Sequence, residues 1–156
     1  MALILSGDTG VPASGMPTGS VIQTVQGTYN TTTTVSGSTP VTTGLTATIT
    51  PISATSKILV IANLAGLYNG ANNSAGAGIY LYRNGSNVIG NYMAFINYLG
   101  AANALIENAG INYLDSPATT SATTYTVYFS RLSASGILSV QANGDLSTII
   151  LQEIKA

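Results

Sequence analysis

The chain has 156 residues, a formal net charge of −1 and charged residues at 6% of its length, whereas an ordinary soluble domain has about 25%. Cysteine and histidine are both absent, which excludes disulfides, Cys or His metal ligands and a Ser-His-Asp triad. The four basic residues are too few to neutralise a row of phosphates or to bind a membrane surface, so we expect no nucleic-acid and no membrane partner. Ser, Thr and Asn supply the polarity instead, and such a surface provides little charge repulsion between copies.

Residues 1–18 are predicted to form an extended N-terminal arm, because glycine and proline recur there without a helical or strand period. The arm also contains apolar residues that would be a poor composition for a free tail. We expect it to dock on a partner through these residues, which are Leu3, Ile4, Leu5 and Val11. No apolar run approaches the ~18 residues of a transmembrane helix, and residues 19–156 are expected to form one β domain.

The first half of this domain reads as successive strands. Apolar and polar residues alternate in "VIQTVQ", and a Thr-rich stretch over residues 28–44 predicts an exposed strand or a long loop. In the next strand Leu45, Ala47 and Ile49 point to one side. Residues 58–62, Ile-Leu-Val-Ile-Ala, are typical of a central strand that is buried on both faces.

The second half carries two turn signals and one ambiguous segment. Asn84-Gly85 lies between two β-rich runs and predicts a tight hairpin, and Asn143-Gly144-Asp145 predicts a second one. Residues 95–108 are compatible with a turn of helix or with a loop and a short strand, while residues 123–132 alternate as a long strand. The fold class predicted is all-β, an antiparallel jelly-roll sandwich of about eight to ten strands.

The last strand, "LSTIILQEI", has apolar residues on both faces. A strand of this kind lies within a sheet whose two faces are both covered. We therefore expect one face to pack on the core of its own chain and the other to contact another copy of the chain. The residues predicted for this interface are Ile149, Ile150, Leu151 and Ile154.

The titratable residues indicate no active site. Three of the five carboxylates, Asp8, Asp115 and Asp145, lie in predicted turns, where Asp makes local hydrogen bonds; a weak calcium site is the open alternative. Lys57 and Lys155 would be needed for a Ser-Lys dyad, but they lie at a strand start and near the end of the sequence, where we expect them to be solvated. We therefore predict that the protein is not an enzyme and uses no cofactor and no metal.

Tyrosine supplies most of the aromatic content, with nine residues against two phenylalanines and no tryptophan. Its ring is apolar and its hydroxyl is polar, so it suits the rim of a core, a protein interface or a carbohydrate platform. Core packing is the reading that we favour, and the other two stay open.

Three stretches resemble small jelly-roll domains in virion proteins of tailed bacteriophages: "GSVIQTVQGTYNTTTT", "TGLTATITPISATSKILVIANLAG" and "LSTIILQEIKA". The resemblance covers residues 19–65 and 146–154, and residues 66–145 match as strands and turns alone. Such domains are similar to the trimeric tumour-necrosis-factor/C1q type of jelly roll, in which the last strand lies close to the threefold axis. The resemblance thus implies a homotrimer in which Ile149, Ile150, Leu151 and Ile154 lie near that axis.

The resemblance implies a structural protein located in the virion. We expect a trimeric capsid decoration (cement) protein, with the arm docking on the shell or reaching a neighbouring subunit, and with the major capsid protein or another virion protein as partner. The alternative is a short tail fibre or receptor-binding module that contacts host surface polysaccharide. The absence of shaft repeats and coiled-coil heptads from the sequence favours decoration.

Overall fold

A computed structural model of the chain describes Pro12 and residues 15–69, 76–94, 105–132 and 137–156. The described residues form ten strands and a 3₁₀ turn over Ala142–Gly144. In chain order the strands are β1 (Val21–Tyr29), β2 (Thr33–Val35), β3 (Val41–Ile49), β4 (Lys57–Asn69), β5 (Ala77–Arg83), β6 (Ser86–Ala94), β7 (Leu105–Asp115), β8 (Thr123–Arg131), β9 (Leu138–Val140) and β10 (Ser147–Ile154). Among these residues no helix is long and apolar enough to cross a bilayer.

The strands form two antiparallel sheets that face each other. In the six-stranded sheet β10 lies between β1 and β4, β7 pairs with the other edge of β4, and the short strands β9 and β2 extend the sheet. The four-stranded sheet has the order β3-β8-β5-β6. The two orders 1-10-4-7 and 3-8-5-6 are those of an eight-stranded jelly roll with two short additional strands. This confirms the predicted all-β jelly-roll sandwich.

The core lies between the sheets and follows the period of two that strands impose on side chains. Leu45, Ala47 and Ile49 of β3 are buried, as predicted, and every second residue of β8 and β10 joins them. The largest side chains without exposure in this core are Tyr125, Phe129, Leu45, Ile58, Ile79, Leu81, Leu138, Ile149 and Leu151.

Residues 58–62 were predicted to form a central strand that is buried on both faces. The central position is confirmed, but the burial of both faces within the chain is wrong. They lie in β4, which has a hydrogen-bonded neighbour along each edge. Ile58, Val60 and Ala62 are buried in the core. Leu59 and Ile61 point to the opposite face, where nothing in the described part of the chain covers them, and Ile61 is 37% exposed.

Of the two predicted hairpins, the first is confirmed. Arg83 of β5 pairs with Ser86 of β6, and between them Asn84 and Gly85 both have positive φ, at 48° and 82°. These are the angles of the two-residue turn that matches the twist of antiparallel strands.

The second predicted hairpin is wrong. Strands β9 and β10 do not pair with each other, because both run antiparallel to β4 and lie end to end along the same edge of it. Ser139 and Thr148 are nine residues apart, whereas their partners Tyr68 and Asn63 are five residues apart. The four extra residues form an outward bulge.

The bulge uses the backbone freedom that the turn signal indicated. Gln141, Asn143 and Gly144 all have positive φ. The bulge is fixed to β4 at both of its ends, because Ala65 accepts a hydrogen bond from Gln141 N at 3.0 Å and donates one to Ser147 Oγ at 2.9 Å. Asn-Gly therefore predicted positive φ correctly, but could not indicate whether the chain reverses or continues.

The two sheets approach closely where β1 crosses β3. At Gly27 of β1 a Cβ atom would lie 2.1 Å from the carbonyl oxygen of Thr46 and 3.0 Å from Ile149 Cγ2. The first of these atoms belongs to backbone in a strand, which cannot move away cheaply. This corner of the sandwich therefore requires glycine.

We predict that Gly27→Ala lowers the free energy of unfolding by about 3 kcal/mol, since overpacking between two strands strains both of them. Urea denaturation of both proteins measures the effect. The matched control is Gly110→Ala on β7, where a Cβ would meet Ala62 O at an ordinary 3.8 Å and the change should be within about 1 kcal/mol. Equal stability of the two variants would show that the sheets do not approach closely at Gly27.

Candidate functional site

The feature most suggestive of function is the outward side of the six-stranded sheet. We call it the outer face and define it by the side chains of four adjacent strands that point away from the core. These are Thr24, Gln26 and Thr28 of β1, Thr148, Ile150, Gln152 and Ile154 of β10, Lys57, Leu59, Ile61 and Asn63 of β4, and Asn112 and Leu114 of β7.

Apolar side chains occupy the middle of the outer face. Ile150 of β10 lies directly opposite Ile61 of β4, and Leu59 of β4 lies opposite Leu114 of β7. Leu114 is 48% exposed. Thr, Asn and Gln surround this apolar group, and Lys57 at one end is the single charged residue of the set. The outer face is therefore flat, nearly uncharged and apolar at its centre.

The four residues predicted for the interface divide between the two sides of β10. Ile149 and Leu151 are fully buried in the core of their own chain, so they have no surface to offer a neighbour while the sandwich is folded. Ile150 and Ile154 point outward and are half-buried. The interface hypothesis consequently narrows to Ile150 and Ile154, and the outer face supplies the residues that join them.

Near its end, β10 carries a buried carboxylate on its core side. Glu153 has no exposed surface. Its oxygens accept hydrogen bonds from Ile52 N at 2.8 Å, from Ser53 N at 3.3 Å and from Gln23 Nε2 at 3.0 Å. Burying a carboxylate is costly unless several donors satisfy it. Glu153 thus fixes the loop between β3 and β4 to the ends of β1 and β10.

A second carboxylate joins the two sheets. Asp115, at the end of β7, is 6% exposed. It forms an ion pair with Arg83 Nη1 of the other sheet, at 2.7 Å to Oδ2, and accepts a hydrogen bond from the hydroxyl of Tyr125 at 2.7 Å. It also accepts one from Ser116 N at 2.8 Å. The local turn bond predicted for Asp115 is present, and the sequence did not indicate the bonds to Arg83 and Tyr125.

This arrangement raises two pKa values. Burial, together with the hydrogen bond to Asp115, raises the pKa of the Tyr125 phenol well above its usual range. The hydrogen bond to Asp115 likewise raises the pKa of Arg83. Both shifts favour the protonated donors that bind Asp115, so the cluster connects the two sheets.

Other polar groups also have structural partners. The amine of Lys155 donates a hydrogen bond to the carbonyl of Met16, and Lys57 begins β4, as predicted. Within the described ranges no group of three His, Cys, Asp or Glu residues could hold a metal ion. Asp8 lies outside the described residues.

The outward side of the four-stranded sheet carries tyrosine and threonine. The rings of Tyr82 and Tyr128 are stacked, with centroids 4.1 Å apart and an interplanar angle of 25°. Beside them two pairs of threonine hydroxyls are hydrogen bonded across β3 and β8, Thr46–Thr126 at 3.0 Å and Thr48–Thr124 at 2.8 Å. Tyrosine therefore serves both inside the core, at Tyr125, and on this hydroxyl-rich surface.

The residues that follow the N-terminal arm are fixed to the end of β10. Gly19 N donates a hydrogen bond to Lys155 O at 2.8 Å, and Lys155 N donates one to Ser20 O at 2.9 Å. The predicted docking residues Leu3, Ile4, Leu5 and Val11 lie outside the described residues, so their role stays a prediction.

No protein-family model matches the chain, and no curated protein matches it. Solved structures do match. The chain aligns over 100% of its length with 41% of the chain in the T=1 particles derived from infectious bursal virus, at a TM-score of 0.46 and 14% identity. It also aligns over 100% of its length with 40% of the chain in the T13 viral particle of the same virus, at a TM-score of 0.46 and 13% identity. The chain spans about two fifths of these proteins of viral particles, and at such scores the likeness assigns it neither a family nor a function.

We predict that Tyr125→Phe lowers the free energy of unfolding by about 1–3 kcal/mol at pH 7, because Asp115 loses a buried charge-assisted donor. Since the pKa of Tyr125 is raised in the folded state, its stabilising contribution is complete below the ordinary tyrosine pKa of about 10 and declines as the pH rises above it. Denaturation measured from pH 7 to 11 should show a smaller alkaline loss in the variant. Tyr82→Phe, which keeps the stacked ring, is the control, and its free energy of unfolding should match that of the parent. An unchanged free energy of unfolding in Tyr125→Phe would show that the hydrogen bond from Tyr125 to Asp115 does not stabilise the fold.

Proposed function

We propose that this protein is a non-enzymatic structural component of a virion, a trimeric capsid decoration protein that associates with its copies through the outer face. The observation that carries the proposal is the outer face itself: an exposed sheet surface that is apolar at its centre and nearly free of charge. Solvent-facing sheets ordinarily alternate apolar residues inward with polar residues outward. Here β4 and β10 place Leu59, Ile61, Ile150 and Ile154 outward as well.

Burial of these side chains against a second copy would provide the driving force. Removing an Ile or Leu side chain from water contributes about 1.5–3 kcal/mol when burial is complete. Association ordinarily also has to overcome desolvation of charges, and on this face Lys57 is the one charge to desolvate or move aside. Neutral Thr, Asn and Gln around the apolar centre suit the rim of an interface.

The size of the outer face decides how much it can do alone. Four strands about 4.8 Å apart and about 26 Å long give an area of about 500 Å². Stable protein–protein interfaces bury about 800 Å² on each partner. The outer face therefore supplies more than half of the area that a stable contact needs, and the remainder must come from another part of the chain.

Trimeric symmetry and the place in the virion are supported by the resemblance of residues 19–65 and 146–154 to virion jelly rolls, in which the last strand lies near a threefold axis. A decoration protein bound across joints between capsid subunits stabilises the assembled shell by mass action, because it binds the assembled state and not the separate subunits. This function requires surface contact alone, in keeping with the structural hydrogen bonds in which Asp115 and Glu153 are engaged.

We predict that Ile150→Asp dissociates the trimer into folded monomers, because the interface would bury an unpaired carboxylate. The dissociation constant should rise by about a hundredfold, which corresponds to about 3 kcal/mol. Sedimentation velocity over a range of concentrations measures it. The control is Thr42→Asp on the exposed side of the four-stranded sheet, where the new carboxylate can still accept the hydrogen bond that Thr42 Oγ1 accepts from Gly44 N. A trimer that persists unchanged in Ile150→Asp would exclude the outer face as the interface.

A second function, contact with host surface polysaccharide, is favoured by the Tyr82–Tyr128 stack and the adjacent threonine hydroxyls. Aromatic rings pack against the apolar faces of sugars, and hydroxyls exchange hydrogen bonds with theirs. The ligand suited to this surface is a neutral glycan. Such a function would place the protein at the tail rather than on the shell.

The copy number per particle separates the two functions. For a decoration protein we expect hundreds of copies in a simple ratio to the major capsid protein, measured by quantitative mass spectrometry of purified virions. A few tens of copies or fewer would contradict decoration and favour a receptor-binding role at the tail.

A further inference from the structure

The second feature of the molecule that could bind a partner is a cleft of about 420 Å³ at the end of the sandwich where the chain enters and leaves it. Its walls come from the start of β1, from the loop between β3 and β4, and from the residues after β10. The side chains that matter are Ile22, Ile52, Thr55, Ser56 and Lys155.

The cleft presents two large apolar side chains, Ile22 and Ile52, beside polar residues, and the loop that carries Ile52 is held in place. Ile52 is 56% exposed although it stands on a short loop beside Ile22. The loop cannot shift to cover this side chain, because Glu153 accepts hydrogen bonds from the backbone N–H groups of both Ile52 and Ser53. A preformed apolar cleft binds with less loss of conformational entropy than a mobile one.

One residue of the wall has a buried polar group without a hydrogen-bond partner among the described residues. Ser56 is 2% exposed, and its Oγ has no hydrogen-bond partner among the described residues. A buried hydroxyl without a partner costs about 1–3 kcal/mol. An extended peptide offers both an N–H and a C=O group at each residue, and its apolar side chains could contact Ile22 and Ile52.

We propose that this cleft receives the apolar segment Leu3–Leu5 from the arm of a second copy of the chain. The segment fits in chemistry, because Leu3, Ile4 and Leu5 are three consecutive apolar residues without charge. It also fits in position, because the arm passes the wall of the cleft: Lys155 is hydrogen bonded to Met16, Gly19 and Ser20. A chain of eleven residues, the length of residues 1–11, can span at most about 36 Å, which would allow it to reach a neighbouring copy.

A second copy is the occupant that the geometry favours over the chain's own arm. Ile154 of the outer face is followed directly by Lys155 in the wall of the cleft, so the cleft lies beside the end of the outer face. An arm that crosses the interface would bury additional area beside it, and the outer face alone falls short of the ~800 Å² per partner of a stable contact. If every chain donates an arm to the next and receives one, the exchange closes into a ring, as threefold symmetry requires. This inference rests on the proposed self-association, but not on the place of the protein in a virion.

Cross-linking between two variants tests the proposal, and it is clean because the chain has no cysteine of its own. One preparation carries Leu5→Cys and the other Thr55→Cys, on the rim of the cleft. The two are mixed, unfolded, refolded together and treated with a short bismaleimide. Since each chain has one thiol, a Leu5→Cys/Thr55→Cys product can only join two chains. The control pairs Leu5→Cys with Thr42→Cys on the far sheet.

We expect the Thr55 pairing to exceed the Thr42 pairing by about tenfold or more, because docking raises the local concentration of the two thiols into the millimolar range. Equal yields would overturn the proposal. A double variant with both cysteines on one chain provides a second test. If it cross-links within the chain at a concentration at which the mixed single variants give no product, the arm occupies the cleft of its own chain and the proposal is wrong. If the parent protein is monomeric by sedimentation, the proposed self-association is wrong. If it is trimeric but this cross-link does not form, only the exchange of arms is wrong.

Discussion

The structure depends on the position of β10 between β1 and β4. This strand is the last one in the sequence. Without it, β1 and β4 would have no neighbour between them and the core would lack Ile149 and Leu151. The two faces of β10 have different roles. One packs in the core and includes Glu153, which accepts hydrogen bonds from the loop between β3 and β4. The other forms the centre of the outer face. Pairing β10 with β1 also brings the start of β1 and residues 155–156 to one end of the molecule, next to the cleft. The fold, the proposed interface and the attachment of residues 16–20 therefore depend on the position of the same strand.

The sequence indicated the strands well because side-chain period and turn chemistry are local properties. Leu45, Ala47 and Ile49 alternate in sequence and face the core in the structure, and Asn84-Gly85 makes the turn expected. Burial of β4 was misjudged because an apolar run indicates that both faces avoid water, without saying that the cover comes from the same chain. The bulge before β10 was misjudged because positive φ at Asn143 and Gly144 serves a continuing strand as well as a reversing one.

The carboxylate contacts could not be predicted, because they join residues far apart in the sequence. Asp115 is 32 residues from Arg83, and Glu153 is 101 residues from Ile52. Which donors surround a carboxylate follows from how the sheets stack, and a turn-like sequence around Asp115 reveals none of it. The interface residues show the same limit: two apolar faces were visible on the last strand, but the assignment of Ile149 and Leu151 to the core required the register.

Charge is scarce in this chain, and the fold uses part of it internally. The ion pair with Arg83 neutralises the charge of Asp115, and Glu153 is fully buried. The polar part of the described surface is therefore largely hydroxyl and amide. Such a surface depends little on ionic strength, since screening acts on charges, and contacts made through it would vary little between dilute and concentrated salt.

The bulge between β9 and β10 has a consequence for engineering. Both of its ends are anchored on Ala65, by Gln141 on one side and Ser147 on the other, while Asn143, Gly144 and Asp145 between them are exposed. The two halves of the strand thus keep their register against β4 independently of what the tip contains. A foreign peptide placed between Asn143 and Gly144 would extend an existing loop without shifting the strand pairing on either side, which makes this tip a suitable position for peptide display.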